Sequence, residues 1–207
     1  MAELTTEQLL CMLTSLVTNC DSVSVLGVYP ADCIPLRLCD VDGEPTMCLT
    51  ADNSKVVDSM HYCFILNTHP HGQPGEHWLA FFYNHITQNL EYFDSFGMPL
   101  TRFVHVKSAL EKCNLIMSTR PVNNYGMLQS RDSSVCGHYC IMYLYWRAKN
   151  YSKSSAIFNI SVLVRGSPAQ RDKYIVQHLR ALLIQHSCVY DTVARGAMSQ
   201  SCTCCRI

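Results

Sequence analysis

Residues 134–149, "SVCGHYCIMYLYWRAK", carry apolar side chains on almost every face of a helical wheel: Val135, Tyr139, Ile141, Met142, Leu144 and Trp146. A helix that is hydrophobic all round has to be enclosed. The longest apolar runs of the chain fall far short of the roughly 20 residues that span a bilayer, so protein must do the enclosing. Other elements have to wrap this helix, and whatever chemistry sits at its ends is built into a core.

The rest of the chain can supply that wrapping. It has 207 residues, 48% of them apolar and 15% charged, which suits one compact domain. Lys plus Arg and Asp plus Glu number 16 each, so composition gives no support for a large basic face. The N-terminus "MAELTTEQLL" lacks the basic-then-apolar form of a secretion signal. An intracellular, reducing setting is therefore expected, with no membrane association and a monomer as the simplest state. Thirteen cysteines, an odd number, are read there as free thiols. Zinc is the rival explanation, but the chain has no pair of CxxC knuckles, and His69 and His71 of "THPHG" have no cysteine at ligand spacing.

The periodicities predict an α+β fold with a mixed central sheet. "TTEQLLCMLTSLVTNC" reads as an amphipathic helix opened by a Thr5/Gln8 capping box. "SVSVLGVYPADCIP" is extended, and a strand is expected over residues 62–67. After the turn "HGQPG", "EHWLAFFYN" and "LEYFDSF" read as an aromatic-rich hairpin joined by "HITQN". A helix over "PLTRFVHVKSALEKC", a short strand at "NLIMST" and a loop over 120–134 precede the buried helix. Ser167 and Pro168 open the last helix. The domain is expected to cover residues 1–190, and 191–207 to form a flexible, cysteine-containing tail.

Cys136 has two readings. It is either a small hydrophobe packed in the core, as Cys140 one turn later is expected to be, or a nucleophile in the first helical turn. Asp132, Ser133 or Ser134 could cap that turn, and the unpaired amides and helix dipole favour a thiolate there. Gly137 would then clear room for a substrate backbone. A nucleophilic cysteine needs an imidazole, and the imidazole needs an orienting acceptor. His138 is adjacent in sequence, but i and i+2 diverge on a helix. His77 starts one strand of the hairpin and Asp94 ends the other, and antiparallel pairing brings those ends together. Gln129, seven residues before Cys136, could place its amide beside the Cys136 amide as a two-donor oxyanion hole. Singly, each of these residues has an ordinary structural explanation.

Together, "GEHWLAFFYNHITQNLEYFDSFG" and "QSRDSSVCGHYC" resemble the adenovirus-type cysteine endopeptidases (adenain-like proteases). That family has the order His, acid, Gln, Cys, with HW opening a strand, the acid seventeen residues on before S/P-F-G, and Q-x6-C-G at a helix start. His77-Trp78, Asp94-Ser95-Phe96-Gly97, Gln129 and Cys136-Gly137 match it. The resemblance implies a cysteine endopeptidase (a thiol protease) with catalytic His77, Asp94, Gln129 and Cys136, and Trp78 packed beneath the site. It further implies cleavage next to small, glycine-type residues and processing of capsid precursor proteins in virion maturation, in a nucleus or virion. Similar proteases occur in virus-like transposons. No cofactor or metal is required. The family's activation implies two partners for this chain, a capsid-derived peptide joined by a disulfide, with Cys113 as the candidate, and DNA. Lys107, Lys112 and Arg120 are the local hint of a DNA-binding cluster. The related SUMO/ubiquitin-like deconjugating proteases share the residue order, and Asp94 in place of the glutamate often seen in adenain leans towards them. A zinc-stabilised interaction module and an inactive peptidase fold are the readings from other classes.

Overall fold

The computed structural model describes residues 3–17, 20, 22–41, 44–49, 61–84, 86–116, 119–121, 127–150 and 165–186. The expected tail lies outside them.

Helix α1 (Thr6–Val17) opens the domain. Strand β1 (Val23–Tyr29) follows, then a small hairpin of β2 (Leu36–Val41) and β3 (Glu44–Leu49), then β4 (His61–Asn67), β5 (Trp78–Asn84) and β6 (Asn89–Phe93). A 3₁₀ turn (Leu100–Arg102), α2 (Val104–Lys112), β7 (Thr119–Pro121), α3 (Cys136–Lys149) and α4 (Pro168–Gln185) complete the order. The main sheet has the order β1-β4-β5-β6-β7, parallel at both edges and antiparallel in the middle. It is the mixed sheet that the sequence implies.

Strands β4 and β5 are buried at every position, because helices cover both faces of the sheet. Strand side chains alternate between faces. Cys63, Ile65, Ala80, Phe82 and Phe93 therefore pack with α1, α3 and α4. Tyr62, Phe64, Leu66, Leu79, Phe81 and Tyr92 pack with Val106, Ala109 and Leu110 of α2. The enclosed helix of the sequence is α3, and its apolar circumference is explained by α1, α4 and the sheet closing round it.

One charged group inside this core fixes how α3 sits on the sheet. Arg147 donates through Nε and Nη2 to the two oxygens of Glu91 at 2.7 and 2.8 Å, and the Tyr143 hydroxyl donates to the same carboxylate at 2.9 Å. Arg147 also lies over the Phe82 ring, 4.6 Å from its centroid. A buried charge is tolerated only when paired and fully hydrogen-bonded. Burial and the neighbouring carboxylate push the Tyr143 hydroxyl well above its ordinary pKa, so it stays a neutral donor.

Three local expectations are corrected. The segment from Pro99 is split into a 3₁₀ turn and a nine-residue helix. The short strand lies at Thr119–Pro121 rather than 114–119, because Asn114 turns the chain with a positive φ of 57°. The β2–β3 hairpin has no counterpart in the sequence reading.

Candidate active site

The hairpin of β5 and β6 brings two of the four predicted residues together. Its register pairs Ala80 with Phe93 and Asn84 with Asn89, so the start of β5 lies beside the end of β6. His77 Nε2 and Asp94 Oδ1 are 2.6 Å apart, with His77 7% and Asp94 1% exposed. The turn after β6 holds the carboxylate from its other side. Phe96 N donates to Oδ1 at 3.1 Å, Met98 N donates to Oδ2 at 2.7 Å, and Gly97 takes a positive φ of 67° to close the turn. The D-S-F-G sequence is thus a carboxylate built into its own backbone cradle.

With Nε2 on Asp94, Nδ1 is the nitrogen left for the thiol, and Cys136 acts on this imidazole by raising its pKa. Burial works to lower the His77 pKa. The hydrogen bonds from Asp94 and Cys136 and the charge they carry outweigh it, and raise it from 6.5 to about 9. The imidazole is therefore a cation at neutral pH, next to sulfur. His138, the sequence neighbour, is 1% exposed, and burial pushes it down to about 4. It is neutral and takes no part in this cluster.

Cys136 is the first residue of α3, two residues after the expected helix start at about Ser134. Its N-cap position is held by Val135, whose side chain makes no cap hydrogen bond, rather than by Asp132, Ser133 or Ser134. The amides and dipole of a helix start favour an anion at this position. Gly137 has a different role from the one expected. A Cβ there would lie 2.8 Å from Leu9 Cδ2 and 3.5 Å from Trp78 Cδ1, so this glycine lets α1 and the indole close on α3. Cys140 is a core thiol that donates to the Trp78 carbonyl at 3.2 Å.

Gln129 is 1% exposed and held from three directions. Ser95, the residue after Asp94, donates its hydroxyl to Gln129 Oε1 at 2.7 Å and accepts from Gln129 N at 3.1 Å through its carbonyl. Gln129 Nε2 donates to the Ser133 carbonyl at 2.6 Å. The loop itself is clamped by α4: Arg171 donates to the Met127 and Leu128 carbonyls at 2.8 and 2.9 Å, and Asp172 accepts from Ser130 N at 3.2 Å and from Tyr139 Oη at 3.0 Å. Sequence reasoning missed Ser95, Arg171 and Asp172 as positioning residues. Only Ser95 carried a signal, its place inside D-S-F-G.

A cleft of about 600 Å³ opens between the start of α1 and the loop before His77, lined by Leu4, Pro30, Asn67, Pro70, Gly75 and Trp78 among others. At Gly75 a Cβ would lie 2.2 Å from Asn67 Nδ2, so any other residue here would have to displace the Asn67 side chain. Trp78, 6% exposed, packs under the site as expected and also forms part of the cleft wall. Among the described residues no group of three or more His, Cys, Asp or Glu is arranged to hold a metal ion, and no helix is long and apolar enough to cross a membrane.

No curated protein matches the chain at the sequence level. Among solved structures, ChlaDub1 from Chlamydia trachomatis aligns over 90% of this chain and 92% of its own, at 13% identity and a TM-score of 0.58. A second structure of the Chlamydia trachomatis effector protein ChlaDUB1 aligns over 89% and 85%, at 12% identity and a TM-score of 0.59. At such identities the likeness concerns the fold. The family model described as adenovirus endoprotease matches residues 55–177, which is more than half of the chain and includes all four predicted site residues. The chain belongs to the adenovirus endoprotease family and is a cysteine peptidase.

Proposed function

We propose that this chain is an endopeptidase that cuts peptide bonds next to small, glycine-type residues, with Cys136 as nucleophile. The observation that carries the reading is the buried 2.6 Å contact of His77 with Asp94, on an imidazole whose pKa is also raised by Cys136, the first residue of α3. An imidazole beside a cysteine, held in place by a carboxylate, is the arrangement that activates a sulfur nucleophile. The sulfur attacks the scissile carbonyl, forming a C–S bond. The resulting oxyanion is held by the Cys136 amide and the Gln129 side chain. His77 gives its Nδ1 proton to the leaving amine as the C–N bond breaks, then takes a proton from water as that water attacks the thioester, and the C–S bond breaks to release the carboxyl product and free the Cys136 sulfur. Asp94 holds the ring in position throughout and stabilises the imidazolium.

Family membership implies a protein substrate, and capsid precursor proteins are the class proposed. The cleft lined by Gly75 and Trp78, which flank His77 in the chain, is the path proposed for an extended substrate segment. A second reading, removal of a ubiquitin-like modifier, is favoured by Asp94 as the acid. The two differ in what must be recognised, because a deconjugase docks a folded modifier and an endopeptidase needs only the peptide. A peptide library and a set of SUMO- and ubiquitin-like fusions, each with wild type and Cys136→Ala, separate them. Cys136-dependent cleavage of glycine-containing peptides with inert fusions is expected. Efficient fusion cleavage with inert peptides would establish the second reading instead.

A further inference from the structure

The imidazole of His77 is walled by two aromatic rings, Phe96 with its centroid 4.9 Å away and Phe103 at 6.0 Å. Neither ring is fully buried. Two residues along from Phe96, Met98 is 45% exposed, and next to Phe103, Val104 is 63% exposed. Single exposed apolar residues need no explanation, but Met98 is held in place: its N–H is bound by Asp94 Oδ2 at 2.7 Å and its carbonyl by the Tyr92 hydroxyl at 2.7 Å. An apolar side chain is thus presented from a backbone fixed by the same carboxylate that orients the imidazole.

The reaction chemistry says which part of a substrate meets this wall. His77 must reach the leaving nitrogen to protonate it, so the polypeptide on the leaving-group side has to pass the imidazole and whatever surrounds it. We propose that Phe96, Phe103, Met98 and Val104 form a subsite for an apolar side chain in the first two residues after the cut. This rests on the endopeptidase reading above and adds a substrate preference on the leaving side. An acidic residue there would lose hydration against the aromatic and aliphatic side chains, whereas leucine or valine would cover them. Discrimination of about tenfold or more is the scale for one hydrophobic pocket contact.

The test uses peptides with one glycine-containing sequence before the cut and leucine, glutamine, lysine or aspartate in the two positions after it, with products quantified by mass spectrometry. Wild type should show kcat/KM about tenfold or more higher for leucine than for aspartate. Met98→Lys and Val104→Lys leave the backbone bonds of Met98 in place, and each should shrink that ratio severalfold and improve cleavage of the aspartate peptide. The rate of Cys136 alkylation should be unchanged in both, which separates a subsite effect from a disturbed site. A wild-type ratio within twofold, or an unaltered ratio in both variants, would overturn the subsite. Absence of any Cys136-dependent cleavage across the set would instead overturn the endopeptidase reading on which it rests.

Discussion

The Ser95 hydroxyl donates to Gln129 Oε1 at 2.7 Å, and this bond ties the turn that carries Asp94 to the loop that carries the proposed oxyanion donor. A neutral hydrogen bond of this kind contributes about 1 kcal/mol. Ser95→Ala should therefore lower kcat by roughly fivefold and leave KM nearly unchanged. Gln129→Ala should keep the fold and lose roughly 2.7–4 kcal/mol of transition-state stabilisation, the scale for one oxyanion donor. Steady-state kinetics on a glycine-containing peptide measure both. Adding Ser95→Ala to Gln129→Ala should cost nothing further, and an additive loss would show that Ser95 acts elsewhere.

The His77 pKa sets the alkaline limit of activity. Raised from 6.5 to about 9, the imidazolium is fully present below about 6.5 and is lost as pH rises through about 9. Its stabilising contribution to the fold follows the same window, because the folded state binds this proton more tightly than the unfolded one. Acylation should fall with an alkaline limb near 9. Asp94→Asn removes the carboxylate that raises the value, so the limb should move to lower pH along with a loss of rate. A pH profile of kcat/KM for the two enzymes checks the direction of the shift.

The Glu91–Arg147 pair should behave as a buried ion pair. Arg147→Met leaves the Glu91 carboxylate without its cation and should destabilise the fold by about 3–5 kcal/mol. The double substitution Glu91→Gln with Arg147→Met should recover part of that loss. Urea denaturation of wild type, the two single variants Arg147→Met and Glu91→Gln, and the double variant gives the coupling.

Cys113 is half-buried at the C-terminal end of α2. Burial pushes its thiol pKa up against the opposing charges of Arg37 and Lys112. If a capsid-derived peptide activates the enzyme through a disulfide, Cys113→Ser should abolish the covalent link while basal turnover stays at the wild-type rate. Non-reducing mass mapping of the adduct checks it, and an adduct on another cysteine would exclude Cys113.

The sequence made this site legible where the chemistry is local or follows sheet register. The pairing of His77 with Asp94 follows from two adjacent strands and a short turn, and the enclosure of α3 follows from its all-round apolar surface. The Thr5/Gln8 capping box that opens α1 is present on both sides, Thr5 N donating to Gln8 Oε1 at 2.8 Å and Gln8 N to Thr5 Oγ1 at 3.3 Å, and its side chains lie within one turn of the backbone they bind. What could not be read is long-range. The clamp of Arg171 and Asp172 on the 127–130 loop spans some forty residues, and nothing in the local pattern marks those side chains. Gly137 looked like clearance for a substrate because it follows the nucleophile, and only the packing of Leu9 against it shows the glycine serving a helix contact. The helix start was misjudged because three consecutive capping residues precede it, yet Val135 takes the cap position.

The central claim is that one thiol among thirteen performs the chemistry. A short, substoichiometric iodoacetamide pulse at neutral pH, followed by peptide mass mapping and an activity assay on the same sample, tests it most directly. Cys136 should be alkylated ahead of the exposed Cys33 and the half-buried Cys113, and activity should fall in proportion to Cys136 modification. Full activity in enzyme whose Cys136 is alkylated, or inactivation that tracks Cys33 or Cys113 instead, would contradict it.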